Sequence, residues 1–232
     1  MKTHSAARDR YDRASSEVEP NGNARPRDTR RNLLEAADRA LRARGLMGAS
    51  TREIAREAGV ADGTLYVHFH DRIDLFIALI QEHLPPYIEP LKRLSNMVGR
   101  RTVRANLAEV FEGALTWYEQ MFPIFGALSA DRDLCEALRR RLAERDEGPH
   151  LAIQALEQYL QAEQKLGRVN DKCDLRAAVL MLYGAAHYWT AIAPWTGKHV
   201  NYTREELTKQ ILKSFMAGLA PAKSVRLVRK RP

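Results

Sequence analysis

The side chains best suited to chemistry lie in residues 51–69, a segment that reads TREIAREAGVADGTLYVHF. If Leu65 and Phe69 form the inner face of a short helix, four neighbouring side chains point outward: Thr64, Tyr66, Val67 and His68. Hydroxyl and imidazole groups form hydrogen bonds with base edges and phosphate oxygens, and an apolar side chain contacts the thymine methyl group. Because packing alone does not require these residue types, the segment predicts a surface that binds the major groove of double-stranded DNA.

Two short helices joined by a tight turn are needed to present these side chains. Ser50 and Glu53 form a capping box that starts the first helix, and Gly59 stops it. The second helix is expected from about Gly63 to Phe69. This arrangement is a helix-turn-helix, whose second helix enters the groove.

One helix precedes this pair and another follows it. Asp28 caps the preceding helix, which Gly45 ends, and Asp71 caps the following one. The prolines at 85–86 break or kink that last helix. We therefore predict a compact four-helix domain over residues 28–83.

This segment resembles the TetR family of bacterial transcriptional regulators. The matching residues are 33–40, Gly45, 51–55, 58–60, 63–66, His68, Phe69 and Leu75. The resemblance implies a DNA-binding domain of three helices and a fourth helix that links it to a larger domain. It also implies that the larger domain binds a ligand and forms a homodimer.

The resemblance also indicates which side chains touch DNA. Thr51 and Tyr66 match positions that commonly contact phosphate, and Arg72 stands where a cation, usually Lys, clamps a phosphate. With the arginines at the start of the first helix, the predicted DNA-binding residues are Arg30, Arg31, Thr51, Arg52, Asp62, Gly63, Thr64, Tyr66, Val67, His68 and Arg72.

Three positions depart from the family's pattern. Ala61 stands where Ser or Thr often caps the reading helix, which makes Asp62 the candidate cap one residue later. Asp62 also stands where a basic residue is frequent, and its carboxylate opposes phosphate unless it caps the helix or meets a base amino group. His70 replaces a common proline. The base preference at the start of the helix therefore stays open.

Residues 84–220 show helical periodicity and no alternating strand pattern of useful length. The predicted helices are 87–97, 102–120, 124–143, 148–166, 172–193 and 204–219, with one break placed at residues 121–123. The expected fold class is therefore all-α, a helix-turn-helix domain followed by a larger C-terminal helical domain. Residues 1–27 are expected to be a disordered arm, and residues 221–232 a basic tail.

A ligand pocket is predicted from aromatic side chains, because clefts between helices lined by such residues bind apolar or aromatic molecules. The candidates are Phe111, Trp117, Tyr118, Phe122, Phe125, Tyr159, Tyr183 and His187. The alternative, that any one of them is ordinary core, stays open.

Residues 177–193 carry no formal charge. They are at the short end of a membrane-spanning length and contain Gly184, His187 and Thr190, so a helix buried on every side is favoured over a membrane span. In the family's plan the last two long helices pair with their copies in a dimer. The predicted interface residues are Ala178, Ala185, Trp189, Leu207, Ile211 and Phe215.

The formal net charge of +8 over 232 residues lies almost entirely at the two ends, which together carry +7, whereas residues 28–83 carry −1. The DNA prediction therefore depends on residue placement and not on bulk charge. Two cysteines and the absence of an apolar N-terminal run indicate a reducing cytoplasm. The arginines at 139–141 are interpreted as a solvated helix face.

The sequence does not favour an enzyme or a metal-binding protein. The sequence contains no phosphate-binding Gly loop, nucleophile elbow or two-histidine zinc helix. We therefore predict no catalytic residues, no metal site and no cofactor. The favoured function is a ligand-responsive regulator, more commonly a repressor, that binds a palindromic operator and a small-molecule effector. The alternatives are a helical dimer that binds protein and has lost operator binding, or a small-molecule enzyme on an all-α fold.

Overall fold

The computed structural model describes residues 26–46, 48–196 and 202–220, and these residues are helical with no strand among them. The helices are α1 (Pro26–Arg44), α2 (Thr51–Glu57), α3 (Thr64–His68), α4 (Arg72–Glu82), α5 (Pro85–Leu94), α6 (Val103–Ser129), α7 (Arg132–Glu144), α8 (Pro149–Lys165), α9 (Leu175–His187), α10 (Ala193–Thr196) and α11 (Arg204–Leu219). The all-α prediction is confirmed. Most of the predicted arm and the whole predicted tail lie outside the described residues.

The first four helices form around signals that are local in the sequence. The Ser50 hydroxyl accepts the Glu53 amide at 3.3 Å, and the Glu53 carboxylate accepts the Ser50 amide at 3.4 Å, as the capping box predicts. Asp71 caps α4 by accepting the Asp74 amide at 2.8 Å. Gly45 has the left-handed backbone, with φ of 65°, that a residue ending α1 needs.

The remaining helices pack around α6, which contacts α1, α5, α7, α9 and α11. Its residues Leu107, Phe111 and Leu115 are fully buried. At Gly113 a Cβ atom would lie 2.5 Å from the carbonyl oxygen of Pro86, so only glycine lets α5 approach α6 this closely. This central helix therefore carries the core of the larger part of the chain.

The predicted helix break at residues 121–123 is wrong. Helix α6 passes through Pro123 and ends at Ser129, and the next helix begins at Arg132. Proline removes one backbone hydrogen bond, but Met121 and Ile124 on either side of it are fully buried. Burial of these side chains outweighs the lost bond and keeps the helix continuous.

The helix predicted over 172–193 is present, but it begins at Leu175 and is not regular throughout. Helix α9 covers Leu175–His187 and continues through a single π-helical turn over Tyr188–Ile192 into α10. Leu180 and Met181 on α9 are 51% and 70% exposed in this protomer, so burial of this side by a partner copy stays a prediction. In the described ranges no helix is both long enough and apolar enough to span a membrane.

Candidate nucleic-acid interface and aromatic cluster

One face of helix α3 packs against the other helices at the N-terminal end of the chain, and the opposite face is exposed. Leu65 is fully buried and Phe69 nearly so, whereas Tyr66 and Val67 are 57% and 79% exposed. Thr64 and His68 are half-buried at the edges of this exposed face. An exposed tyrosine beside an exposed valine contributes nothing to packing, so this face is available for a partner.

A hydroxyl pair joins α2 to α3 at this face. Thr51 Oγ1 lies 3.4 Å from the Tyr66 hydroxyl oxygen, although Thr51 belongs to α2 and Tyr66 to α3. Two adjacent hydroxyl groups, at the start of α2 and on α3, can donate to neighbouring phosphate oxygens. The family resemblance implied that both residues contact phosphate, and the structure brings their hydroxyl groups together.

Asp62 pairs with Arg52 at the rim of this surface. The two side chains lie 3.4 Å apart and are 62% and 85% exposed. The prediction that Asp62 caps the reading helix is wrong, because Gly63 is the N-terminal cap and no side chain caps α3. The Arg52 guanidinium therefore offsets the Asp62 carboxylate on the face that carries Tyr66.

The predicted arginines of α1 differ in their contacts. The Arg30 guanidinium lies over the Phe69 ring, 5.0 Å from its centre, which places it next to the end of α3. Arg31 pairs with Glu35 of its own helix at 3.1 Å, and both side chains are largely exposed. Arg30 is thus the better positioned of the two to reach DNA bound at α3.

Arg72 is held against its own domain. Its guanidinium donates to the Leu46 carbonyl at 3.1 Å and lies over the Phe76 ring, 5.2 Å from its centre. Burial lowers the pKa of this guanidinium, and its Nε is buried without a hydrogen-bond partner. Contact between Arg72 and phosphate stays a prediction.

Two ion pairs between α4 and α7 were not predicted. Arg141 bonds the Asp71 carboxylate at 2.9 Å, and Arg145 bonds Asp74 at 2.7 Å. The Arg145 hydrogen bond holds the pKa of the Asp74 carboxyl below its ordinary value. The interpretation of residues 139–141 as a solvated face is therefore wrong for Arg141. Arg141 and Arg145 are four positions apart, and Asp71 and Asp74 are three apart, so each pair lies on one face of its helix end. This spacing is the feature of the sequence that could have indicated the two ion pairs.

Most of the predicted pocket residues meet in one aromatic cluster between α5, α6 and α9. The Trp117 ring lies 5.5 Å from Tyr87, 5.1 Å from Tyr118 and 5.6 Å from Phe125, measured between ring centres. Tyr183 lies 5.9 Å from Tyr87, and His187 lies 5.5 Å from Tyr118. Sequence reasoning missed Tyr87, which directly follows the prolines that start α5.

Three predicted pocket residues lie apart from this cluster. Tyr159 is buried on α8, where its hydroxyl accepts Asn106 Nδ2 at 2.9 Å. Phe111 is fully buried and Phe122 half-buried, and neither makes a ring contact with the cluster in the described part of the chain. The prediction of one pocket containing all eight residues is therefore too broad, because α6 and α8 direct these rings into different parts of the core.

A buried polar group lies beside Tyr159. The Glu163 side chain is fully buried, accepts the Gly99 amide at 3.1 Å and pairs with Arg168 at 3.2 Å. These contacts tie the segment before α6 to the end of α8. The contact between Glu163 and Gly99 was not predictable from the sequence, because the two residues are 64 positions apart in the chain.

The predicted dimer residues are only partly available to another molecule. Ala178 and Leu207 are buried within this chain, at 7% and 5% exposure, so their assignment to an outer surface is wrong. Ala185, Trp189, Ile211 and Phe215 are half-buried.

The electrostatics of the aromatic cluster are those of a neutral site. Burial raises the pKa of the Tyr87, Tyr118 and Tyr183 hydroxyls above the ordinary value, so these groups stay protonated. Trp117 Nε1 is buried and has no hydrogen-bond partner in the part of the chain that the structure describes. The cluster therefore presents an unused donor among uncharged rings.

Comparison with known proteins gives three findings. A family model of bacterial regulatory proteins, tetR family, matches residues 33–79. The fatty acid metabolism regulator protein of Bacillus subtilis is 24% identical over 189 residues, which cover 81% of this chain and 93% of that protein. The transcriptional activator FasR of Mycolicibacterium smegmatis is 34% identical over 94 residues, 39% of this chain and 43% of FasR.

The fold extends the similarity beyond the family model. The transcriptional regulator FadR from Bacillus subtilis, solved in complex with stearoyl-CoA, superposes with a TM-score of 0.60 at 20% sequence identity. The superposition covers 82% of this chain and 98% of that one. Both the N-terminal helices and the larger helical part therefore follow one known architecture.

Proposed function

Because the chain belongs to the TetR family of bacterial regulatory proteins, we propose that it represses transcription from a palindromic operator and is released by a small, largely apolar or aromatic effector. The observation that carries the proposal is the exposed face of α3, where Tyr66 and Val67 are 57% and 79% exposed. We assign DNA binding to residues 28–83, and effector binding and dimerisation to residues 84–220. Since the operator lies in the bacterial cytoplasm, we place the function there.

The DNA-binding part is tested by a gel shift with the DNA that flanks the protein's own gene. Tyr66→Ala removes a hydroxyl from the exposed face of α3 and is expected to weaken operator binding about tenfold or more. Tyr202→Ala is the matched control, since Tyr202 is similarly exposed, at 49%, just before α11. Its operator affinity is expected to stay within about twofold of the unsubstituted protein.

Two outcomes would contradict this assignment. One is the absence of sequence-specific binding at low salt, tested against an unrelated duplex of the same length. The other is an equal effect of Tyr66→Ala and Tyr202→Ala. Absence of specific binding would favour the alternative of a helical dimer that binds protein, for which the exposed Asp62 carboxylate at the rim is the supporting observation.

We also propose that the protein acts as a homodimer formed through α9. The outer side of α9 and of the π-helical turn that follows it carries exposed apolar residues, Leu180, Met181, Tyr188 and Ile192. Such patches are uncommon on monomeric proteins, and a two-fold axis lets the same patch face its own copy. Two reading helices related by that axis would lie about 34–36 Å apart, one turn of DNA.

The dimer is tested by sedimentation. The unsubstituted protein is expected at about twice the chain mass of 26.4 kDa, and Met181→Glu is expected to shift it to the monomer. Leu151→Glu, at an apolar position of α8 that is 43% exposed, is the control and should stay dimeric. A dimer that survives Met181→Glu would place the interface elsewhere.

The aromatic cluster around Trp117 is the proposed effector site. It lies on α6, which contacts α1 of the DNA-binding helices and leads into α7, the partner of α4. The relation to a fatty acid regulator, and to a structure solved with stearoyl-CoA, supports a ligand with a long apolar portion. An effector that favours a different spacing of the reading helices would weaken operator binding, and the operator would weaken effector binding by the same factor.

A further inference from the structure

One donor in the aromatic cluster has no acceptor among the described residues. Trp117 is 92% buried, since only 8% of its surface is exposed, and its Nε1 makes no hydrogen bond within residues 26–46, 48–196 and 202–220. A buried polar group without a partner costs about 1–3 kcal/mol, and native proteins retain few such groups. The indole N–H of Trp117 is therefore available to donate to a ligand.

The rings around Trp117 restrict what that partner is. Its ring contacts are with Tyr87, Tyr118 and Phe125, none of which carries a formal charge. Burial keeps the pKa of the Tyr87 and Tyr118 hydroxyls above the ordinary value, so no phenolate forms there. An ionised group placed against Trp117 among these three rings would lose its hydration without gaining a counter-charge from them, since His187 of the cluster contacts Tyr118 at its exposed edge.

The same site has a route to the surface. Tyr118 and Phe125 are half-buried and His187 is exposed, so the cluster reaches the surface at these three side chains. Directly after His187 the backbone forms its π-helical turn, and the Thr190 hydroxyl donates to the Ala186 carbonyl at 3.0 Å. Single π-helical turns inside helices occur frequently at functional sites.

We infer that the part of the effector that lies among these rings is uncharged and largely apolar, and that a carbonyl oxygen of this part accepts the Trp117 indole N–H. This inference rests on the proposed function, because it specifies the ligand class of the proposed effector site. It assigns to Trp117 a directional contact in a site lined mainly by aromatic rings. The rings of Tyr118 and Phe125 supply the apolar contact area on the open side.

The test uses three probes of similar shape: 2-acetonaphthone, 2-isopropylnaphthalene and 2-naphthoate. Only the ketone combines a carbonyl acceptor with zero charge. Trp117→Phe, which removes the donor and keeps an aromatic ring, is expected to weaken ketone binding about tenfold and to leave the hydrocarbon within about twofold. Naphthoate is expected to bind the unsubstituted protein at least about tenfold more weakly than the ketone.

An NMR measurement on the unsubstituted full-length protein tests the same contact without relying on the Trp117→Phe variant alone. The chain has three tryptophans, so three indole N–H signals are expected in a ¹H–¹⁵N spectrum. The Trp117 signal is identified by Trp189→Phe and Trp195→Phe. It should move downfield when the ketone is added and stay in place with the hydrocarbon.

Several outcomes would overturn the inference. These are a Trp117 signal that moves equally with ketone and hydrocarbon, a ketone affinity unchanged by Trp117→Phe, naphthoate binding equal to that of the ketone, or no binding of the ketone. The gel shift on Trp117→Phe without probe separates this failure from failure of the proposed function. If Trp117→Phe still binds the operator and binds the ketone as tightly as the unsubstituted protein, the proposed ligand class is refuted and the assignment as a regulator is unaffected.

Discussion

Replacing both Arg141 and Arg145 with alanine is expected to lower the free energy of unfolding and to loosen the start of α4. These arginines of α7 bond Asp71 and Asp74 at 2.9 and 2.7 Å. Asp71 is the N-terminal cap of α4, which begins only four residues after α3 ends. The two pairs therefore attach the helix next to the reading helix to the larger part of the chain.

The expected magnitude follows from how exposed these pairs are. The four side chains are between 25% and 38% exposed, so solvent screens the attraction only in part. Exposed ion pairs contribute about 0.2–1 kcal/mol each, and a partly buried charge-assisted bond lies toward the upper end. The double replacement is therefore expected to cost about 1–2 kcal/mol, less if the two pairs are coupled.

The effect has a defined pH dependence. The Asp74 pKa is lowered from its ordinary value of 3.8, first by the Arg145 hydrogen bond. A carboxyl whose pKa is lowered on folding contributes stability above its unfolded pKa, and this contribution is lost as the pH falls through the folded value. The difference between the unsubstituted and substituted proteins should therefore be full at neutral pH and shrink below about pH 4.

Urea unfolding at neutral and acidic pH measures this difference, and amide exchange along α4 locates it. Arg139→Ala is the matched control, because Arg139 pairs with Glu136 of its own helix and is 71% exposed. Its replacement is expected to change stability by less than about 0.5 kcal/mol. The reasoning is refuted if the double variant is no less stable than the control, or if its deficit is unchanged in acid.

Two further predictions concern packing in the larger part of the chain. Gly113→Ala would bring a Cβ within 2.5 Å of the Pro86 carbonyl oxygen, and we expect urea unfolding to show a loss of about 1–3 kcal/mol. An unchanged midpoint would mean that α5 can move away without cost. Glu163→Gln leaves the Arg168 guanidinium without its counter-charge and is expected to lower stability by about 1–3 kcal/mol, measured in the same way. Equal stability would show that this ion pair is offset by its desolvation.

Features set by neighbouring residues were predictable from the sequence. The capping box at Ser50 and Glu53 and the left-handed Gly45 depend on residues only a few positions apart, and both are confirmed. The outward face of α3 was predicted from the expectation that Leu65 and Phe69 form its inner face, and both side chains are buried in the structure. These are local rules of helix geometry, so one sequence is enough to apply them.

Features set by tertiary packing were not predictable. Pro123 ends helices in most local contexts, but here the buried side chains of Met121 and Ile124 keep α6 intact. Leu207 was assigned to a dimer surface because its spacing fits a stripe, but the spacing does not say which molecule covers the stripe. The partner of Arg141, seventy residues earlier at Asp71, depends on how α7 lies across α4.

Pro123 has a mechanical consequence for communication along the chain. It has no N–H to donate to the Glu119 carbonyl one turn earlier, and the adjacent Gln120 carbonyl accepts a bond of 2.7 Å from Arg42 of α1. Trp117 and Phe125, which touch in the aromatic cluster, lie on either side of this weak point. Helices bend most readily at a proline, so we expect a molecule that separates these two rings to change the bend of α6. The Arg42 bond to the Gln120 carbonyl would then carry that change to α1.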